Sequence, residues 1–134
     1  MLAEDHPINA QIAMDILKSK GTQVELAEDG AKAVACFEQS TPGYFDLILM
    51  DLRMPNMGGI EATKTIRASG HPDAEKIPII ALTANSFQED KDMAREAGMN
   101  DFLSKPLEIY LLYTVLQKWM PNKLKKDCTE SRQA

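Results

Sequence analysis

The stretch Leu47-Ile48-Leu49-Met50-Asp51-Leu52-Arg53-Met54-Pro55-Asn56-Met57-Gly58-Gly59 constrains this chain more than any other. Four apolar residues run directly into one carboxylate, and helix-hostile, turn-prone residues follow at once. A continuous apolar run bounded by turn signals reads as a strand buried on both faces. Asp51 therefore stands where a central strand ends and a loop begins. In an open parallel sheet that edge is where ligands bind. What matters next is which other side chains reach it.

Taken in order, the chain alternates strand and helix. Met1-Leu2-Ala3 runs into Glu4-Asp5 like the end of a strand with almost no beginning, whereas strands usually have about five residues. Pro7 suits the first turn of a helix. Ile8, Ile12, Ile16 and Leu17 form an apolar stripe at helical spacing, and Gly21 ends it. Thr22 to Ala27 is a short strand candidate. Asp29 is placed to cap a helix over Ala31–Gln39, which Ser40-Thr41-Pro42-Gly43 breaks. After the strand of Leu47–Met50, Gly58-Gly59 precedes a helix over residues 60–68. Ile77 to Leu82 is a second buried strand with Thr83 at its end, and Pro78 is tolerable near its start. Ser86 and Glu89 form a capping box for a polar helix that ends at Gly98 and packs only partly against a sheet. Asp101–Ser104 is a short strand ending at Lys105-Pro106. Leu107 to Trp119 is an apolar helix that Pro121 stops. Residues 121–134 read as a disordered polar tail, and residues 1–120 as one folded domain. Five alternations predict an α/β fold, a doubly wound five-stranded parallel sheet with right-handed crossovers and a truncated first strand.

A chain of 134 residues fits one domain, and at that length buries about two thirds of its unfolded surface. A net charge of -5 argues against direct nucleic-acid or anionic-membrane binding, since both need a basic surface. Cys36 falls in an apolar helical pattern and reads as a small core residue, while Cys128 lies in the polar tail. Neither has metal-like or disulfide spacing, which fits a reducing cytoplasm. His6 and His71 have no second metal-ligating partner nearby and read as chemically inert. No apolar run reaches bilayer length, and no signal peptide is evident.

In a parallel sheet all strand C-termini lie along one edge. Glu4-Asp5, Asp51, Thr83 and Lys105 each end a strand, so carboxylates, a hydroxyl and an ammonium converge there. Crowded carboxylates repel and resist ionisation, and a cation between them relieves this. Oxygen ligands suit Mg²⁺. Asp51 is then left to act as a nucleophile, and a carboxylate attacking phosphorus forms an acyl phosphate. Lys105 and Thr83 supply donors for the phosphoryl oxygens, a catalysis of positioning and charge neutralisation. Each residue alone has a blander reading, as turn residue, solvated pair, strand filler or surface lysine. Their convergence on one edge outweighs it.

At these positions the chain resembles the receiver domains of the two-component response-regulator family. The motif elements are Glu4-Asp5, Asp51 within MDLRMPNMGG, Thr83-Ala84, and Lys105-Pro106 within DFLSKP. The resemblance runs to about Trp119. AEDHPIN, LTANSFQED and AREAGMNDFLSKP resemble especially the receivers attached to hybrid histidine kinases. It implies the flavodoxin-like receiver fold and a set of roles. Asp51 would be the phosphoacceptor. Asp5 would bind Mg²⁺ directly, Glu4 would assist through water, and the Arg53 backbone carbonyl would be a further ligand. Lys105 would grip the phosphoryl group, Thr83 would hydrogen-bond it, and Phe102 would change rotamer with Thr83. The donor would be a histidine kinase or a histidine-phosphotransfer protein in the cytoplasm. Slow self-dephosphorylation or onward transfer would follow, so the domain catalyses its own modification without being a stand-alone turnover enzyme.

Two departures from the family pattern carry consequences. The acidic pair is Glu-Asp rather than Asp-Asp, a tolerated variant. A nearly absent first strand would remove a central strand and loosen Asp5, which makes a homodimer completed by strand exchange the structural alternative. The functional alternative is an inert pseudo-receiver that only binds protein, against which the intact acidic pair, Asp51, Thr83 and Lys105 argue. A phosphate-ester hydrolase would carry a second aspartate two residues after its nucleophile, where this chain has Arg53.

Overall fold

The computed structural model describes residues 1–19, 21, 23–54, 56–83, 88–104 and 108–119. Within them strands and helices alternate: β1 (Leu2–Ala3), α1 (Pro7–Ser19), β2 (Leu26–Ala27), α2 (Gly30–Gln39), β3 (Ile48–Asp51), α3 (Gly59–Arg67), β4 (Ile79–Thr83), α4 (Gln88–Ala97), β5 (Asp101–Ser104) and α5 (Ile109–Trp119). All strand pairs are parallel, in the order β2-β1-β3-β4-β5. Every residue of β3 and β4 is buried. Both sheet faces are covered, so these strands read as apolar runs rather than alternating ones. On one face Ala10, Ala13 and Ile16 of α1 and Leu112 and Leu116 of α5 pack on Leu2, Leu49 and Ile80. On the other, residues of α2, α3 and α4, among them Phe37, Ile66 and Ala94, pack on Ala3, Ile48, Met50 and Ala81. Among the described residues no helix is long and apolar enough to cross a membrane.

β1 is as short as expected, yet it is an interior strand. Leu2 pairs with Leu26 and Leu49, and Ala3 pairs with Ala27 and Met50. The Glu4 amide continues the ladder onto the Ala27 carbonyl at 3.0 Å. The expected loss of a central strand therefore does not occur, and no exchange with a second chain is needed to close the sheet. The correction falls on its neighbour. Of the strand expected over Thr22–Ala27, Thr22 lies outside the described residues, and the described ones form a strand only at Leu26–Ala27. Among the described residues β2 is an edge strand paired with β1 alone, and a two-residue partner sets the length of the ladder.

Other boundaries shift by one or two residues. β3 runs one residue further than expected and takes in Asp51, which pairs with Leu82. β4 starts after Pro78 and takes in Thr83. Asp29 caps α2 as expected, its Oδ1 accepting from the Lys32 amide at 2.8 Å. α4 meets the core through Ala94 and Ala97. Cys36 is half-buried against the core margin. Ser86, Leu107, Cys128 and the whole of 121–134 lie outside the described residues. His71, expected to be inert, locks two loops together. Its Nε2 donates to the Ser40 carbonyl at 2.9 Å, its Nδ1 accepts from the Asp73 amide at 3.0 Å, and its ring packs 4.5 Å from that of Phe37.

Candidate functional site

Asp51, the last residue of β3, is 4% exposed, and its Oδ1 accepts from the Arg53 amide at 3.2 Å. The β1 extension delivers Glu4 and Asp5 beside it. Glu4 is buried, with Oε2 accepting from the His6 amide at 3.2 Å, whereas Asp5 is exposed. Each of the three carboxylates offers an oxygen, and these oxygens all lie within 4.8 Å of one another. Thr83 is buried at the end of β4. These residues line a cleft of about 180 Å³ at the C-terminal edge of the sheet. A larger cavity of about 280 Å³ opens at the opposite edge, among Leu17, Val24, Leu47, Leu49 and Leu116. Its lining also includes Gln23, Tyr44 and Asp46, and the carboxylate cluster is not part of it.

The loop after Asp51 is pinned from several sides. Gly59 opens α3 so close to β3 that an added Cβ would meet the Asp51 carbonyl oxygen at 2.2 Å, and its amide donates to the Leu52 carbonyl at 3.0 Å. Asn56 takes the left-handed conformation, φ 66°, which asparagine tolerates better than most residues. Its Nδ2 donates to Asp29 Oδ2 at 2.9 Å. The Gly30 amide donates to the Met57 carbonyl at 3.0 Å. The Lys32 amide and the Asn56 side chain together hold the Asp29 carboxyl below its ordinary range, because both hydrogen bonds favour the charged form.

Of the residues expected from sequence, Glu4, Asp5, Asp51, Arg53 and Thr83 share this one cleft. Phe102 lies outside it, half-buried against the core, with the Arg95 guanidinium 5.6 Å from its ring centroid. Ala81 pairs with Phe102 and Thr83 with Ser104, so Phe102 and Thr83 sit on the same sheet face as diagonal neighbours. Lys105, Pro106 and Ala84 lie outside the described residues. The cleft also holds Asn9 and Asp90, which the sequence reading missed. Both sit early in the helices that follow β1 and β4. Residues there face the same edge as the strand ends, and that topology is the signal that could have found them.

Carboxylate oxygens are hard donors of the kind Mg²⁺ takes at 2.0–2.1 Å in octahedral geometry. Two ligands on opposite sides of such an ion stand about 4.2 Å apart. The observed spread of up to 4.8 Å is close to that, and the exposed Asp5 carboxylate has room to close the difference. The donor set therefore fits a divalent cation of this class.

Comparison with known proteins agrees with this geometry. Residues 1–117 match the family described as the response regulator receiver domain. The chain belongs to this family, the receivers of two-component signalling. It is 44% identical over 124 residues to hybrid signal transduction histidine kinase M of Dictyostelium discoideum, covering 92% of this chain and 5% of that kinase. It is 36% identical over 121 residues to the signal transduction histidine-protein kinase BarA of Escherichia coli (strain K12), covering 90% of this chain and 13% of that one. It thus spans only a small part of these relatives. Among solved structures it resembles the receiver domain of sensor histidine kinase PA1611 from Pseudomonas aeruginosa PAO1, with TM-score 0.79, 42% identity and coverage of 88% and 93% of the two chains. That receiver holds a magnesium ion in its active-site cleft. It also resembles a chain in the Saccharomyces cerevisiae co-crystal of the histidine phosphotransfer protein Ypd1 with the receiver domain of Ssk1, with TM-score 0.76, 34% identity and coverage of 88% and 85%.

Proposed function

We propose that Asp51 accepts a phosphoryl group from a phosphohistidine, on a histidine kinase or a histidine-phosphotransfer protein, as one step of a cytoplasmic phosphorelay. The observation that carries this reading is the meeting of the Glu4, Asp5 and Asp51 carboxylates within 4.8 Å at a strand-end cleft that Thr83 also lines. The receiver partnered with a phosphotransfer protein in the yeast complex supports the choice of donor. An Asp51 carboxylate oxygen attacks phosphorus, the bond from phosphorus to the donor nitrogen breaks, and the imidazole leaves with the electron pair. The Thr83 hydroxyl donates to a phosphoryl oxygen. Lys105 supplies the cation, in the role its motif implies. Phe102, on the same sheet face as Thr83, repacks as Thr83 moves. Mg²⁺ would be held by Asp5 and Asp51, with Glu4 and the Arg53 carbonyl assisting, and when bound supplies charge neutralisation for the transfer.

Incubation with acetyl phosphate and Mg²⁺, read by intact mass, tests this. One added phosphoryl mass on the native chain, absent in Asp51→Asn and absent without divalent cation, is the expected result. A native chain that stays unlabelled would favour the inert protein-binding reading.

A further inference from the structure

We propose that Asp90 is a positioning residue for the Asp51 site. It holds the Arg53 guanidinium across the mouth of the cleft and yields it to an arriving phosphoryl group. This rests on the reading of Asp51 as the phosphoacceptor. The Arg53 backbone is fixed, because its amide donates to Asp51 Oδ1 at 3.2 Å and the rest of its loop is tied to Asp29, Gly30 and Gly59. Its side chain is 73% exposed and crosses to the first turn of α4, where Nη2 lies 3.5 Å from Asp90 Oδ1. The Asp90 side chain is only 16% exposed. The carboxylate is therefore the seated partner and the guanidinium the movable one.

Charge and geometry give the movement its direction. Glu4, Asp5, Asp51 and Asp90 place four carboxylates around this cleft, and Arg53 is the guanidinium among its described lining residues. A phosphoryl group on Asp51 adds up to two negative charges and three acceptor oxygens, which suit a guanidinium fork better than one distant carboxylate oxygen does. An exposed ion pair is worth at most about fivefold in an equilibrium, so the tie is weak enough to release. Turning Arg53 inward leaves Asp90, and with it the start of α4, without its link to the loop after β3. Phosphorylation would thus be felt in α4 through a side-chain exchange as well as through Thr83.

The test is a double-mutant cycle on the rate of labelling by acetyl phosphate. In that reaction an Asp51 oxygen attacks phosphorus, the phosphorus–acetate oxygen bond breaks, and acetate leaves with the electron pair. Asp90→Asn should label about two- to fivefold faster than wild type, because the guanidinium is already released. Arg53→Gln should label more slowly. In the Arg53→Gln background Asp90→Asn should add nothing. An equal acceleration in both backgrounds would mean that Asp90 acts by its own charge, and the proposal falls. Identical rates in all four proteins overturn it too. Wild type that takes no label instead defeats the phosphoacceptor reading, and this proposal with it. Independently of labelling, Arg53 Nε–H exchange measured by NMR should quicken in Asp90→Asn, and no change there refutes the tie.

Discussion

Replacing Gly59 with alanine places a Cβ 2.2 Å from the Asp51 carbonyl oxygen and 3.0 Å from both its carbonyl carbon and Leu52 Cα. Carbon and carbonyl oxygen normally come no nearer than about 3.3 Å, so roughly 1.1 Å of separation has to be found. Every atom in the clash is backbone. Asp51 is paired with Leu82, and the Gly59 amide is bonded to the Leu52 carbonyl, so neither side yields freely. Overpacking of this kind costs about 1–3 kcal/mol. For a domain of this size that is a Tm lower by roughly 3–12 °C. The displacement also exceeds the ~0.5 Å within which reacting groups must be held, and a misplacement near 1 Å can cost about a hundredfold in rate. Gly59→Ala should therefore melt early and label with acetyl phosphate at least tenfold more slowly. Gly30→Ala separates the two effects. Its Cβ would meet the Met57 carbonyl oxygen at the same 2.2 Å, but at the far end of the loop from Asp51, so it should melt early and lose less labelling than Gly59→Ala. Gly58→Ala, with its Cβ 3.0 Å from the Leu52 carbonyl oxygen, should fall between wild type and Gly59→Ala in stability. Melting by circular dichroism and labelling by intact mass decide the matter. A Gly59→Ala protein that melts with wild type, or that loses no more labelling than Gly30→Ala, would refute the reasoning.

Two further measurements probe the scaffold. The Lys32 amide and Asn56 hold the Asp29 carboxyl below its ordinary value of 3.8. Between that value and the lower native one the unfolded chain binds more protons, so stability rises with pH there. The Asp29 contribution is present in full above about pH 5 and is lost as pH falls through the native value. Asp29→Asn should flatten this part of the acid-unfolding curve, and a curve parallel to wild type would count against the assignment. The Thr63 hydroxyl is fully buried in α3 with no hydrogen-bond partner among the described residues. Thr63→Val removes an unsatisfied group of nearly the same shape, which should raise stability by about 1 kcal/mol. The urea midpoint should rise at constant slope, and a lower midpoint would show that the hydroxyl is satisfied in solution.

How much of this was legible in the sequence depends on where each instruction resides. β3 and β4 are legible because a strand covered on both faces carries its signal in its own residues, as an unbroken apolar run into Asp51 and into Thr83. β5 agrees at both ends, Asp101 to Ser104, since turn-prone Gly98 and Asn100 and then Lys105-Pro106 bracket it. The acidic pair is legible as a pair, but the burial of Glu4 with Asp5 left in solvent is not. Neighbouring residues on an extended segment point to opposite sides, and nothing local says which side faces inward. Asp90 is illegible for a related reason. In α4 it is one acidic residue among several on a polar helix, and only the reach of the Arg53 side chain across the cleft distinguishes it.

β1 shows the same division most sharply. Judged by its own length it is a weak strand, and on that ground Asp5 looked insecure. Its two residues are nevertheless completely buried and bonded on both sides. The ladder is extended at one end by the Glu4 amide on the Ala27 carbonyl and at the other by the Met1 amine on the Leu47 carbonyl, at 3.0 and 2.9 Å. The position of the acidic pair is therefore set by carbonyls of the β2 and β3 segments rather than by any propensity of Leu2 or Ala3. A reading confined to the strand itself undervalues it, because in a parallel sheet the information that places a strand end is held by the strands on either side.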